Sequence, residues 1–124
     1  MKFLPRVMAI IEMGTGLALM AVPSLVVMLL LGSPIDSLPA ITLGRVAGAA
    51  LFALGLACWS AQGMAVPMLF YNGIVALLLA WSGISTGLVG VALWPAVILH
   101  VILGIACLVA LRLKSSAKPL VSSL

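Results

Sequence analysis

Along the chain, long apolar runs are interrupted by short polar or glycine-containing stretches, and a proline stands near the start of each run. Four runs can be laid down: Pro5 to about Leu31, Pro39 to about Ala61, Pro67 to about Ser85, and Pro95 to about Leu113. Proline suits the first turn of a helix because the N–H it lacks has no partner there. The links between the runs are turn-like: Gly32 to Ser37, Gln62 to Val66, and Thr86 to Trp94. Neither the runs nor the links show the alternation of polar and apolar residues that a membrane barrel requires, so the pattern predicts four helices. Short links favour neighbours that run in opposite directions. The expected fold is therefore all-α, an antiparallel four-helix integral membrane bundle over residues 1–113, with helices at about 5–31, 39–61, 67–85 and 95–113. A short basic cytoplasmic tail, 114–124, follows. The last three helix starts recur every 28 residues, which one span and one turn account for without duplication. The first run, at 27 residues, would measure about 40 Å as one helix, and Pro23 is its expected bend.

Composition sharpens the class. Of 124 residues, 65% are hydrophobic and 6% charged, and the mean hydropathy is +1.42. No Asp, Glu, Lys or Arg occurs in the 66 residues between Arg45 and Arg112, enough for three spans of roughly 20 residues. A water-soluble enzyme, a disulfide-stapled secreted domain and a disordered tail are excluded on this ground. The six basic residues form no patch interleaved with aromatics, so nucleic acid is not an expected partner. The lipid bilayer is.

Charge also orients the chain. Lys2, Arg6, Arg112, Lys114 and Lys118 fall at one end of an even number of helices, against Arg45 and Asp36 at the other. Five against one predicts both termini in the cytoplasm of a bacterial inner membrane, N-in and C-in. The basic start of the first run resembles a signal peptide, but the run is too long and carries Glu12, so it reads as a retained helix. Phe3, Trp59, Phe70 and Tyr71 are expected near the inner interface, Trp94 near the outer one, and Trp81 deeper in packing.

Each predicted helix holds one strongly polar side chain, five to seven residues after its opening proline: Glu12, Arg45, Asn72 and His100. At 1.5 Å per residue each lies roughly 8–10 Å along its helix, within the hydrocarbon. Polar groups there are costly without partners. Spacing by four places Arg45 with Ala49, Ala53 and Ala57, Asn72 with Ala76 and Ala80, His100 with Ala96 and Gly104, and Glu12 with Gly16. Small residues at that spacing are typical of helix interfaces, so all four polar residues are expected to face inward. The pair Gly44 and Gly48 is given little weight in a chain with 12 glycines. Antiparallel packing would put Glu12 and Asn72 in an inner layer and Arg45 and His100 in an outer one, about 12 Å apart. Glu12 would then turn to Asn72, Tyr71, Arg6 or Arg112, and Arg45 to Asp36, His100 or helix-end carbonyls.

The chemistry of known sites is sparse. Cys58 and Cys107 lie in apolar runs without a CxxC or Cys/His cluster and read as small buried apolar residues. One histidine cannot supply both axial ligands of a haem, and no paired carboxylates, catalytic triad or phosphate-binding glycine loop is present. No cofactor, metal or enzymatic activity is expected.

Two resemblances follow from particular residues. Gly44-Arg45-Val46-Ala47-Gly48, followed by Leu51 and Gly55, resembles the Gly/Ala-Arg-x-x-Gly pattern of small four-helix bacterial membrane proteins of the DoxX-like broad group. That resemblance implies an inner-membrane accessory component, with Arg45 as the matching residue. Glu12 and Trp81-Ser82-Gly83 are similar to parts of the pattern in small multidrug resistance transporters, although Glu12 lies nearer its helix start than the essential Glu of that family. The leading expectation is a non-enzymatic accessory or scaffold subunit, in a homo-oligomer or with other membrane subunits. The alternative is a proton-coupled carrier of a small hydrophobic or cationic solute, using Glu12, with Tyr71, Asn72 and Trp81 along its path.

Overall fold

The computed structural model describes residues 2–117. Its elements are α1 (Phe3–Ala21), α2 (Pro23–Leu31), α3 (Leu38–Ser60), α4 (Ala65–Trp81), a π-helical segment (Ser82–Thr86) and α5 (Leu93–Ser116). No strand occurs among the described residues. Four stretches are long and apolar enough to cross a membrane: Phe3–Ala21, Leu38–Ser60, Ala65–Thr86 and Leu93–Ser116. At 1.5 Å per residue they measure about 28 to 36 Å, against a hydrocarbon core of about 30 Å.

α1, α3, α4 and α5 begin one or two residues before their prolines and α2 on Pro23 itself, because any position in the first turn tolerates a missing N–H. At Leu38 the start is also capped, with the Ser37 hydroxyl accepting from the Ala40 N–H at 3.4 Å. α5 continues to Ser116, three residues past the last apolar position, with Lys114 in its final turn, where a cation suits the helix dipole. Lys114–Ser116 are thus helical, and the remainder of the expected tail from Lys118 onward lies outside the described residues.

The long first run is two helices. Pro23 cannot donate to the preceding turn, and Val22 leaves helical geometry at φ −135°, ψ 60°. The break is held by packing, since Pro23 is buried and its Cβ lies 3.0 Å from where a side chain on Gly44 would begin. α2 then ends on Gly32 at φ +73°, a left-handed conformation that favours glycine.

α1 packs on α3 and α4 packs on α5. The α1–α3 contact is made through glycine. A Cβ at Gly16 would meet the Gly48 carbonyl oxygen at 2.5 Å and the Phe52 nitrogen at 2.6 Å, and one at Gly55 would meet Met13 and Ala9 at under 3 Å. Backbone therefore rests on backbone. The buried face of α3 is Gly48, Gly55 and Cys58, whereas Arg45, Ala49 and Ala53 are exposed. The expected Arg45 stripe is corrected here: α3 is turned by about one residue, or ~100°, because glycines permit a closer approach than alanines do.

The two pairs meet at both ends. Met8 and Ala9 of α1, Cys58 of α3, Met68 of α4, and Leu103 and Cys107 of α5 form one buried cluster. The two cysteines are free and buried, as apolar residues, and the Cys107 thiol lies 3.7 Å from the Met8 sulfur. At the other end the last carbonyls of α2, which have no partner within their own helix, accept from the loop before α5. Gly90 N–H donates to Leu30 O at 3.0 Å and Ala92 N–H to Leu29 O at 2.8 Å. Gly90 is buried there, and the contact requires glycine because a Cβ would fall on the Leu29 carbonyl.

Candidate functional site

Between the sulfur-rich cluster and the α2 clamp, the helices do not close. A cavity of about 310 Å³ remains, walled by apolar side chains including Val26, Leu51, Val75 and Leu99, with Glu12, Tyr71 and His100 also on its lining. Position along each helix shows where these three lie. The lining runs from Ile11 and Glu12 to Leu19 on α1, from Tyr71 to Leu79 on α4, and from His100 on α5 to Ala92 just before it, so Glu12, Tyr71 and His100 form its floor and the clamp residues Leu29, Leu30 and Ala92 its far end.

The floor is a chain of hydrogen bonds. The Tyr71 hydroxyl donates to Glu12 Oε2 at 3.1 Å. Asn72 Nδ2 donates to the Met68 carbonyl at 2.8 Å, leaving Oδ1 as the acceptor for His100 Nδ1 at 2.8 Å. His100 is therefore the Nδ1–H tautomer, or doubly protonated, and Nε2 is left for another partner. Tyr71 also packs edge-to-face on His100, with ring centroids 5.8 Å apart at 77°. Glu12 is 2% exposed and Asn72 0%.

One atom in this network is unsatisfied. Glu12 Oε1 is buried with no hydrogen-bond partner among the described residues, and a carboxyl oxygen so placed forfeits its hydration without compensation. The group borders a cavity with room for a ligand atom.

The four polar residues do not sort into the two expected layers. Glu12, Asn72 and His100 share one layer, and Arg45 stands apart, exposed on the outer side of α3 near Pro23 and Ile41. The reason lies at the top of α5. Leu93 and Trp94 lie against Gly83, so α5 starts level with Gly83, where α4 has already given way to the π segment. Asn72 is then 11 residues from that level and His100 is 7 from Leu93. The difference of four residues, about 6 Å, is spanned by the two side chains.

Tyr71 is half-buried and bound to Glu12 rather than placed as an interfacial anchor. Trp81, expected in packing and along a solute path, is 67% exposed and takes no part in the cavity lining. The cavity itself, Thr15 on its wall and the α2 clamp were not anticipated. A mid-run Pro23 followed by Gly32, and Gly90 in the last link, were the signals that α2 is a separate element folded over the others. No group of three or more metal-ligating side chains occurs among the described residues. Comparison with family models, curated proteins and solved structures gives no match for this chain, and its functional reading rests on the geometry of the Glu12 floor.

Proposed function

We propose that this chain is an integral membrane protein that binds a small, largely apolar solute carrying a cationic or hydrogen-bond-donating group, with Glu12 as the residue that holds it. The carrying observation is the buried, unpartnered Glu12 Oε1 on the lining of an apolar cavity of about 310 Å³. In hydrocarbon the ionised carboxylate is costly alone, so it exchanges a proton for a cation. The solute enters as the proton leaves. Tyr71 keeps Oε2 oriented, and Asn72 fixes the His100 ring so that Nε2 is available to the solute. The proposal includes an antiparallel bundle with both ends in the cytoplasm. Its support is the order of contacts, Gly16 with Gly48 and Ala9 with Gly55, and the clustering of Lys2, Arg6, Arg112 and Lys114 at one set of helix ends.

The test is calorimetry of the purified protein with benzylamine and benzyltrimethylammonium in two buffers of different ionisation enthalpy. Binding of the quaternary cation with release of about one proton, abolished in Glu12→Gln, is the expected result. Binding unaffected by Glu12→Gln, or no binding of either probe, would overturn the proposal.

A second reading, the accessory subunit, is favoured by Arg45, an exposed cation on the outer face of α3. A neighbouring subunit with an intramembrane carboxylate would pair with it. Gentle extraction followed by mass spectrometry tests it: a stoichiometric partner lost in Arg45→Ala supports it, and a clean homo-oligomer refutes it.

A further inference from the structure

At the end of the molecule opposite the α2 clamp, two cavities adjoin. One, of about 610 Å³, is lined by Lys2, Arg6, Lys114, Trp59, Ser60 and Gln62 among others. It gathers three cations from the starts and ends of α1 and α5, with two polar side chains from α3 and the link after it. The other, of about 550 Å³, is an apolar groove between α1, α4 and α5, whose lining includes Leu4, Met8, Val66 and Leu111. Pro5, Gly63, Met64 and Lys114 border both. A basic chamber and an apolar groove thus adjoin along these four residues at the end of the hydrophobic spans.

Among the described residues no side-chain carboxylate lies near these cations. The chain has two acidic side chains, Glu12 and Asp36. Glu12 is buried against Tyr71, and Asp36 lies in the link between α2 and α3, at the far end of α3 from Trp59 and Ser60. Arg6 is held in place instead by the Trp59 ring, its guanidinium carbon 5.8 Å from the ring centroid, within the range of a cation–π contact.

We infer that this pair of cavities is a binding site for one anionic phospholipid, its phosphodiester headgroup held by Lys2, Arg6 and Lys114 and an acyl chain laid in the groove beside Met8 and Leu111. Lipid supplies both halves of the complementarity, negative charge at the interface and hydrocarbon below it. The inference is independent of the Glu12 cavity.

The test is native mass spectrometry of the intact protein from micelles holding equal phosphatidylglycerol and phosphatidylcholine. One retained phosphatidylglycerol is expected, preferred over phosphatidylcholine by roughly a hundredfold, as three Lys and Arg at an anionic headgroup imply. Arg6→Ala with Lys114→Ala brings the ratio down toward unity while circular dichroism stays helical. Arg112→Ala, an exposed cation outside both cavities, leaves the ratio unchanged. Equal retention of the two lipids overturns the inference, and so does an equal effect of Arg112→Ala, which would mark diffuse charge rather than a site. Displacement of the lipid by millimolar glycerol phosphate would assign the chamber to soluble phosphate and overturn the lipid assignment.

Discussion

Replacing glycines by alanine one at a time separates those that carry the α1–α3 contact from those that merely occur in helices. At Gly16 the new Cβ would stand 2.5 Å from the Gly48 carbonyl oxygen, where ordinary contact begins at 3.4 Å. The clash is with backbone, so no side chain can swing aside, and the helices must separate by about 0.9 Å. A gap of that size forfeits a quarter to a half of the dispersion attraction of each contact along the seam. Gly48→Ala and Gly55→Ala meet comparable obstacles, at 2.6 Å from Gly16 O and from Met13 Cγ respectively. Overpacking of this kind costs about 1–3 kcal/mol. Gly14 and Gly73 are the controls, since a Cβ at either meets nothing within 4 Å, and alanine there gains about 0.5–1 kcal/mol from reduced backbone freedom in the unfolded chain. Unfolding in mixed micelles, followed by circular dichroism as SDS is raised, measures the difference. The backbone gain is common to both α1 variants and cancels, so the expected gap between Gly16→Ala and Gly14→Ala is the overpacking cost of about 1–3 kcal/mol, and the Gly16→Ala/Gly48→Ala double variant falls short of additivity because both force the same contact apart. Stabilities of Gly16→Ala and Gly14→Ala within 0.5 kcal/mol (about a twofold change in equilibrium constant) would refute the backbone-on-backbone packing.

Gly90→Ala drives a Cβ into the Leu29 carbonyl and breaks the two clamp bonds to α2, at about 0.5–1.5 kcal/mol each. Amide hydrogen exchange at residues 90 and 92 should accelerate, and unchanged exchange would show that the clamp does not hold α2. Asn72→Leu removes the acceptor of His100 Nδ1 and the donor to Met68 O, for a loss of about 1–2 kcal/mol. The same SDS titration reads it, and a neutral result would mean that His100 finds another acceptor. Tyr71→Phe leaves both Glu12 carboxyl oxygens without a protein partner and weakens benzyltrimethylammonium binding without abolishing it. Calorimetry checks this, and an affinity equal to wild type would show that the tyrosine does not orient the carboxylate.

The sequence alone makes the apolar helical runs legible. Runs of apolar residues long enough to span hydrocarbon must satisfy their own backbone groups, which leaves the helix as the local answer, and prolines marked the starts of the four long helices to within two residues, whereas α1 and α4 stop at Ala21 and Trp81, ten and four residues short of the expected ends. It also picked out the rare polar residues, because in a chain with 6% charge each one is conspicuous. Which of them meet depends on how the helices pack. Helix periodicity says that Arg45 shares a face with Ala49 and Ala53, but not that the face one residue over, with Gly48 and Gly55, offers the closer approach. Nor can it set the relative height of two helices. Asn72 reaches His100 because α5 begins level with Gly83, an outcome of a π-helical turn and two bulky side chains against a glycine. The cavity is likewise no property of any single run. It exists where α2, freed by Pro23, folds over four helices whose side chains fill one end of the interior and leave the other open, with a carboxyl oxygen unpaired at its floor.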